Sequence, residues 1–180
     1  MNIPNFLTVL RIIMIPLFVV VYLAEGINNW FALIIFVAAA ITDFLDGYIA
    51  RKKNIVSDFG KLMDPLADKL MVMSAFVCFV AGGLLHPVVT IIILSREFLV
   101  TGFRSLATAK GKVIGADLLG KVKTISQDIT IILVLLKSAA TIPTESVLGF
   151  VINVFIWIMT VLTIVSAVNY CIKNKEIFSK

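Results

Sequence analysis

The stretch DFLDGYIARKKNIVSDFGKLMDPLADKL, residues 43–70, places five Asp (43, 46, 58, 64 and 68) and five Lys or Arg inside a chain otherwise dominated by Ile, Leu, Val, Phe and Ala. Those charges have to be judged in the solvent the rest of the chain implies. Of 180 residues, 60% are hydrophobic, against roughly 45–50% in soluble domains, and the mean hydropathy is +1.05. The chain reads as an all-α integral membrane protein. One domain over residues 1–180 is expected, because no Pro-, Gly- or Ser-rich linker, internal repeat or low-complexity tract divides it.

A membrane helix takes about 20 largely apolar residues, and six stretches supply them: roughly 7–25, 29–50, 62–82, 86–107, 118–137 and 147–172. Solid apolar runs exclude a β-barrel, whose strands alternate in polarity. The breaks carry turn chemistry: EGINN, Gly82-Gly83, GKVIG at 111–115 and IPTES at 142–146. The opening MNIPNFLTVLR lacks a basic leader and no small-residue cleavage site follows, so no removable signal peptide is expected. It reads instead as an interfacial segment. Cys78 and Cys171 stand in separate apolar runs without ligand spacing and read as small buried hydrophobes. His86 reads as an interfacial residue.

Six spans put both termini on one side. The loops and helix ends of that side hold Arg11, Arg51, Lys52, Lys53, Lys61, Lys110, Lys112, Lys121, Lys123, Lys173, Lys175 and Lys180, against Lys137 alone opposite. The asymmetry places the termini and the 51–61 and 108–121 loops in the cytoplasm. The net charge of +5 is then a collar beside anionic lipid head groups, and no nucleic-acid partner is implied, since aromatic residues for base stacking do not interleave with it.

Asp43, Asp46, Gly47 and Ala50 recur at i, i+3, i+4 and i+7, one face at the cytoplasmic end of the second span. Gly60, Asp64 and Asp68 repeat a four-residue spacing across the loop. A short loop would bring four carboxylates together, each costing on the order of 2.5–3.5 kcal/mol at membrane depth. Oxygen-only donors at this density suit Mg²⁺, Mn²⁺ or Ca²⁺, and two cations sharing carboxylates would polarise a phosphate for in-line displacement. Gly47 and Ala50 leave room for a bulky ligand, and Arg51 offers a fork of donors to a phosphate. The plainer alternative is capping and pairing with Lys52, Lys61 and Lys69; it suits Asp58 but does not explain Asp, Gly and Ala sharing one stripe.

These eight positions, in the spacing D-x2-D-G-x2-A-R-x8-G-x3-D-x3-D, resemble the signature of the CDP-alcohol phosphatidyltransferases without departure in type or spacing. The resemblance implies a six-helix membrane enzyme, often a homodimer, with its active site at the cytoplasmic side. Its members displace CMP from a CDP-linked lipid or alcohol with an acceptor hydroxyl, using a divalent cation, Mg²⁺ or Mn²⁺, two per site. It implies Asp43, Asp46, Asp64 and Asp68 as metal ligands, and Asp68 also as the base for the acceptor hydroxyl. The CDP-lipid would lie against Gly47, Ala50, Arg51, Ser57 and Gly60, with Asn5 and Thr8 helping. Asn5 and Thr8 equally suit the capping of an interfacial helix.

The acceptor is read from SREFLVTGFRS and GKVKT. Arg96 and Arg104 are eight apart on one face, and Arg104, Lys121 and Lys123 converge on the same rim. Lys121 and Lys123 are also adequate as simple positive-inside residues, but Arg96, beside Glu97, lies deep enough to need a partner or a ligand. A phosphate on the acceptor meets that need. Together with NIPNFLTVLR, these stretches are similar to the branch of the family that joins CDP-diacylglycerol to sn-glycerol 3-phosphate in the bacterial cytoplasmic membrane. Inositol phosphate, inositol or serine remain alternative acceptors. Asp128, seven after Lys121 on the same stripe, pairs within the cavity or across a dimer, with no catalytic role assigned. A cation-coupled transporter is the rival from another class, since intramembrane carboxylates also mark ion pathways; inverted repeats would be its signature, and the halves of this chain do not match.

Overall fold

A computed structural model describes residues 3–24, 26, 29–53, 58–111, 115 and 118–174, and within these the side chains other than those at 3, 4, 44, 46–53, 58–62, 64 and 65. The described residues form six α-helices: α1 (Ile3–Leu23), α2 (Trp30–Lys53), α3 (Asp58–Ala81), α4 (Pro87–Ala109), α5 (Leu118–Ala139) and α6 (Val147–Lys173). The opening segment and the first apolar run, expected as an interfacial piece and a span, are one continuous helix. No glycine or proline stands between Asn5 and Ile15 to interrupt it, and Pro4 falls in the first turn, where a missing N–H costs nothing.

The helix ends follow from local chemistry. After α3, Leu84 N donates to Phe79 O (2.8 Å) and Gly83 N to Val80 O (3.1 Å), the paired bonds of a Schellman motif. That motif needs a left-handed residue, supplied by Gly83 at φ +67°. His86, expected only as an interfacial residue, caps α4 by accepting from Val88 N at 3.3 Å, with Pro87 in the first turn. Ser146 caps α6 through Gly149 N at 3.2 Å. Gly149 must lack a side chain, since a Cβ there would stand 2.0 Å from Thr144 O.

Helix α3 is the hub, packing on α1, α2, α4 and α5, while α5 also touches α2 and α6, and α6 closes against α4. Phe18, Phe36, Phe76 and Phe79 centre the core, with Phe76 and Phe79 edge-to-face at 6.3 Å. Ala32 and Ala39, seven apart, and Ala67 and Ala75, eight apart, are buried; small residues on one helical face let backbones approach closely.

The polarity of this bundle is inverted relative to a soluble one. Phe98, Phe150 and Trp157 are 66%, 69% and 68% exposed, whereas Thr8, Arg11, Lys123, Gln127, Thr130, Thr163 and Ser166 are buried. An apolar outer surface of this extent is matched by hydrocarbon, not by water. Helix α1 over Asn5–Leu23 and helix α6 are each long and apolar enough to cross a membrane. Several buried hydroxyls bond back into their own helices, as Thr130 to Ser126 O and Thr163 to Met159 O, both at 2.7 Å, which for these groups removes the cost of an unpaired hydroxyl in an apolar medium.

Candidate active site

Four helices each send one charged side chain into a common cavity of about 70 Å³: Arg11 from α1, Asp43 from α2, Asp68 from α3 and Asp128 from α5. The local sequence explains the lining. Phe36, Ala39 and Asp43 lie at i, i+3 and i+7 on α2, and Asp68, Met71 and Val72 at i, i+3 and i+4 on α3. Each helix thus presents an apolar wall with a carboxylate at its edge. Arg11, only 1% exposed, sets Nη1 2.8 Å from Asp43 Oδ1. A guanidinium this deep is tolerable only when paired.

Arg11 is the residue the sequence reading placed elsewhere, as one member of the basic collar. It lies in the core because it shares a face with Thr8 and Phe18, all three buried. Thr8 is fully buried on that face, one turn before Arg11, and Asn5 begins the same stripe. Asp46, Gly47, Ala50 and Arg51 belong to α2, and Gly60 and Asp64 to α3, but their side chains lie outside the described residues, as does Ser57 altogether. Two of the four expected metal ligands, Asp43 and Asp68, are therefore seen to share a cavity.

A second, larger cavity of about 510 Å³ opens between α3, α4 and α5, lined by Asp68, Lys69, Arg96, Glu97, Arg104 and Lys121, with Gly120 and Thr124. Its size is that of a small-molecule site, roughly 300–1,000 Å³. Arg96 is fixed from two sides: Nη2 donates to Ser166 Oγ at 2.7 Å and Nη1 to Glu97 Oε1 at 3.1 Å. Gly120 packs beside it, where a Cβ would meet Nη2 at the ordinary contact distance of 3.5 Å. Lys69 Nζ donates to Thr101 Oγ1, whose own hydroxyl donates to Glu97 O at 2.7 Å.

Of the four basic residues expected around an acceptor phosphate, Arg96, Arg104 and Lys121 line this cavity. Lys123 stands behind it, 1% exposed, with Nζ bonded to Glu97 Oε1, and borders a smaller cavity of about 30 Å³ together with Asp68, Glu97, Thr124 and Gln127. Glu97 thus holds Arg96 and Lys123 through one carboxylate oxygen. Lys69 and Gln127 reach these cavities without having been assigned to them from sequence, and of the two alternatives given for Asp128, within the cavity or across a dimer, the structure places it at the cavity. The stripe shared by Lys121 and Asp128 was the one available signal.

The donors around the Asp43 cavity are carboxylates, without thiolate or imidazole, which is the chemistry of a hard divalent cation. Among the described residues no group of three or more His, Cys, Asp or Glu is gathered closely enough to hold an ion; Asp46 and Asp64 would have to complete the set. In donor type, Asp43 and Asp68 fit such a cation.

The sequence pattern of the CDP-alcohol phosphatidyltransferase family matches residues 1–165. The chain is 38% identical to a Bacillus subtilis (strain 168) protein named CDP-diacylglycerol–glycerol-3-phosphate 3-phosphatidyltransferase, over 97% of this chain and 96% of that one. It is 38% identical to a protein of the same name from Rickettsia felis, over 98% and 97% of the two chains, and 36% identical to another from Rickettsia bellii, over 98% and 97%. With the family pattern matched over residues 1–165 and likeness to these relatives running nearly from end to end, the chain belongs to the CDP-alcohol phosphatidyltransferase family of enzymes.

Proposed function

We propose that this enzyme transfers the phosphatidyl group of CDP-diacylglycerol to sn-glycerol 3-phosphate, giving phosphatidylglycerophosphate and CMP. The single observation that carries the reading is the meeting of a carboxylate cavity and a cation-lined cavity at Asp68, in a chain whose near-full-length relatives bear the name of that reaction.

The acceptor phosphate binds in the larger cavity, where Arg96, Arg104 and Lys121 supply the charge and fork geometry that an anion needs; Lys123 acts from behind by setting Glu97. This directs the acceptor's terminal hydroxyl toward Asp68. That hydroxyl oxygen attacks the β-phosphorus of the donor while its proton passes to the Asp68 carboxylate. The bond from the β-phosphorus to the oxygen it shares with CMP breaks, and CMP leaves. Asp43, Asp46, Asp64 and Asp68 would hold a divalent cation, Mg²⁺ or Mn²⁺ and two per site, which would supply charge neutralisation at the donor diphosphate. Asn5, Thr8, Gly47, Ala50, Arg51, Ser57 and Gly60 hold the CDP-lipid.

The protein acts as one domain of six membrane spans in the bacterial cytoplasmic membrane, with both termini and the site on the cytoplasmic side, a reading supported by the one-sided basic residues and the apolar outer surface. A homodimer is the assembly the family implies. Purified enzyme should release CMP from CDP-diacylglycerol only when both glycerol 3-phosphate and a divalent cation are present. Undiminished release in excess EDTA would overturn the metal-dependent reading, and a preference for serine, inositol or inositol phosphate in competition would overturn the acceptor.

A further inference from the structure

Building on that reading of the acceptor, Gln127 is, among the described residues, a buried polar side chain beside Asp68 that the reaction as described leaves without work. Gln127 is 2% exposed, and its Nε2 has no hydrogen-bond partner among the described residues. Its helical neighbours are satisfied differently: Ser126 Oγ donates to Lys123 O at 2.7 Å and Thr130 Oγ1 to Ser126 O at 2.7 Å. An amide N–H left unpaired in an apolar interior is costly, so a position that retains one calls for a ligand.

The space before it has the size of a small polar group. Gln127 lines the cavity of about 30 Å³, where about 10–15 Å³ suffices for one water-sized group. That cavity borders Asp68, Lys69, Glu97 and Thr124, residues that also border the cation-lined cavity. The acceptor's shape matches this arrangement. Glycerol 3-phosphate carries its phosphate at one end, the attacking hydroxyl at the other and a second hydroxyl on the carbon between. With the phosphate among Arg96, Arg104 and Lys121 and the attacking oxygen at Asp68, the middle hydroxyl must lie beside Asp68, next to the small cavity.

We propose that Gln127 determines specificity by donating its Nε2–H to the acceptor's middle hydroxyl, so that the enzyme selects a vicinal diol phosphate over a simple alcohol phosphate. A site built to hydrogen-bond a hydroxyl discriminates against the analogue lacking it because the site's own polar group is then stranded.

The test compares glycerol 3-phosphate with 3-hydroxypropyl phosphate, which lacks only the middle hydroxyl, in the full-length purified enzyme with CDP-diacylglycerol. Wild type should favour glycerol 3-phosphate by roughly 10- to 100-fold in kcat/KM. In Gln127→Met and in Gln127→Leu, which occupy much of the same space without a hydrogen-bond donor, the ratio should fall to within a few-fold of one. Because both acceptors are measured on the same preparation, the ratio does not depend on how much protein is folded. A wild-type ratio near one overturns the proposal even if neither variant folds, and an unchanged ratio in the variants overturns it as well. Absence of transfer to either acceptor would instead sink the glycerol phosphate reading on which the proposal rests.

Discussion

The two main cavities meet at one carboxylate and differ in almost everything else. The first is small, walled by Phe36, Met71 and Val72, and carries three carboxylates against one arginine. The second is about seven times larger, 510 against 70 Å³, and carries Lys69, Arg96, Arg104 and Lys121 against Asp68 and Glu97. Both substrates of the proposed reaction are anionic phosphates. On the proposed function the contrast is between two ways of holding an anion at membrane depth: a negative site that would need a divalent cation, and one that presents fixed protein cations. Arg11 alone stands among the carboxylates of the first cavity, the other basic residues being kept to the second, and on the proposed mechanism sharing Asp68 would bring the two phosphates to one proton acceptor.

The largest effect should come from breaking the junction itself. On the proposed mechanism Asp68→Asn removes the base and a metal ligand at the junction of both cavities; a general base contributes roughly 10²–10⁴-fold, so CMP release should fall by at least that range while the protein still inserts and purifies. Loss of less than tenfold would detach Asp68 from the chemistry.

Next in size is the support of the cationic cavity. Glu97→Gln leaves the ammonium of Lys123 and the guanidinium of Arg96 without their shared carboxylate, and stripping one partner from a buried ion cluster costs about 3–5 kcal/mol. Thermal unfolding in detergent should show a fall of several degrees or more, with the KM for glycerol 3-phosphate rising. An unchanged midpoint would mean that Glu97 is incidental.

Removing a direct phosphate contact should cost less. Arg96→Ala and Arg104→Ala each delete a charge-assisted bond of roughly 1.5–3 kcal/mol, about tenfold to more than a hundredfold. The loss should fall on the acceptor's KM and spare that of CDP-diacylglycerol, because the proposed function places the donor at the other cavity. Equal losses for both substrates would erase the distinction between the two sites.

The smallest effect is expected at Asp128, which borders the carboxylate cavity but stands outside the eight-residue signature. Asp128→Asn should raise the divalent-cation concentration needed for half-maximal activity by about tenfold, the lower end for a group acting around a metal site, with activity recovered at saturating metal. Recovery at no metal concentration would make Asp128 part of the reaction centre proper.

Much of this protein was readable along the chain. Six apolar runs of membrane-spanning length set six helices, and the structure moves their ends by only a few residues, extending α2 to Lys53 and α3 back to Asp58. The pairing of Asp43 with Asp46, and of Asp64 with Asp68, follows from the 3.6-residue period alone, because residues on one helix keep their spacing whatever surrounds them. The spacing of the signature likewise needs only residue order.

What the tertiary structure decided was which helical faces meet. Arg11 reads as a collar residue until α1 packs on α2 and sets it against Asp43, 32 positions away. Lys123 reads as a phosphate ligand until Glu97, 26 positions earlier, draws it into the wall. Arg96 depends on Ser166, 70 positions later, and Asp128 and Gln127 come beside Asp68 only because α5 packs on α3. No period links such pairs. A charge in an apolar medium must find a partner, but which partner it finds is settled by the packing of whole helices, to which every core side chain contributes and which no single stretch of sequence encodes.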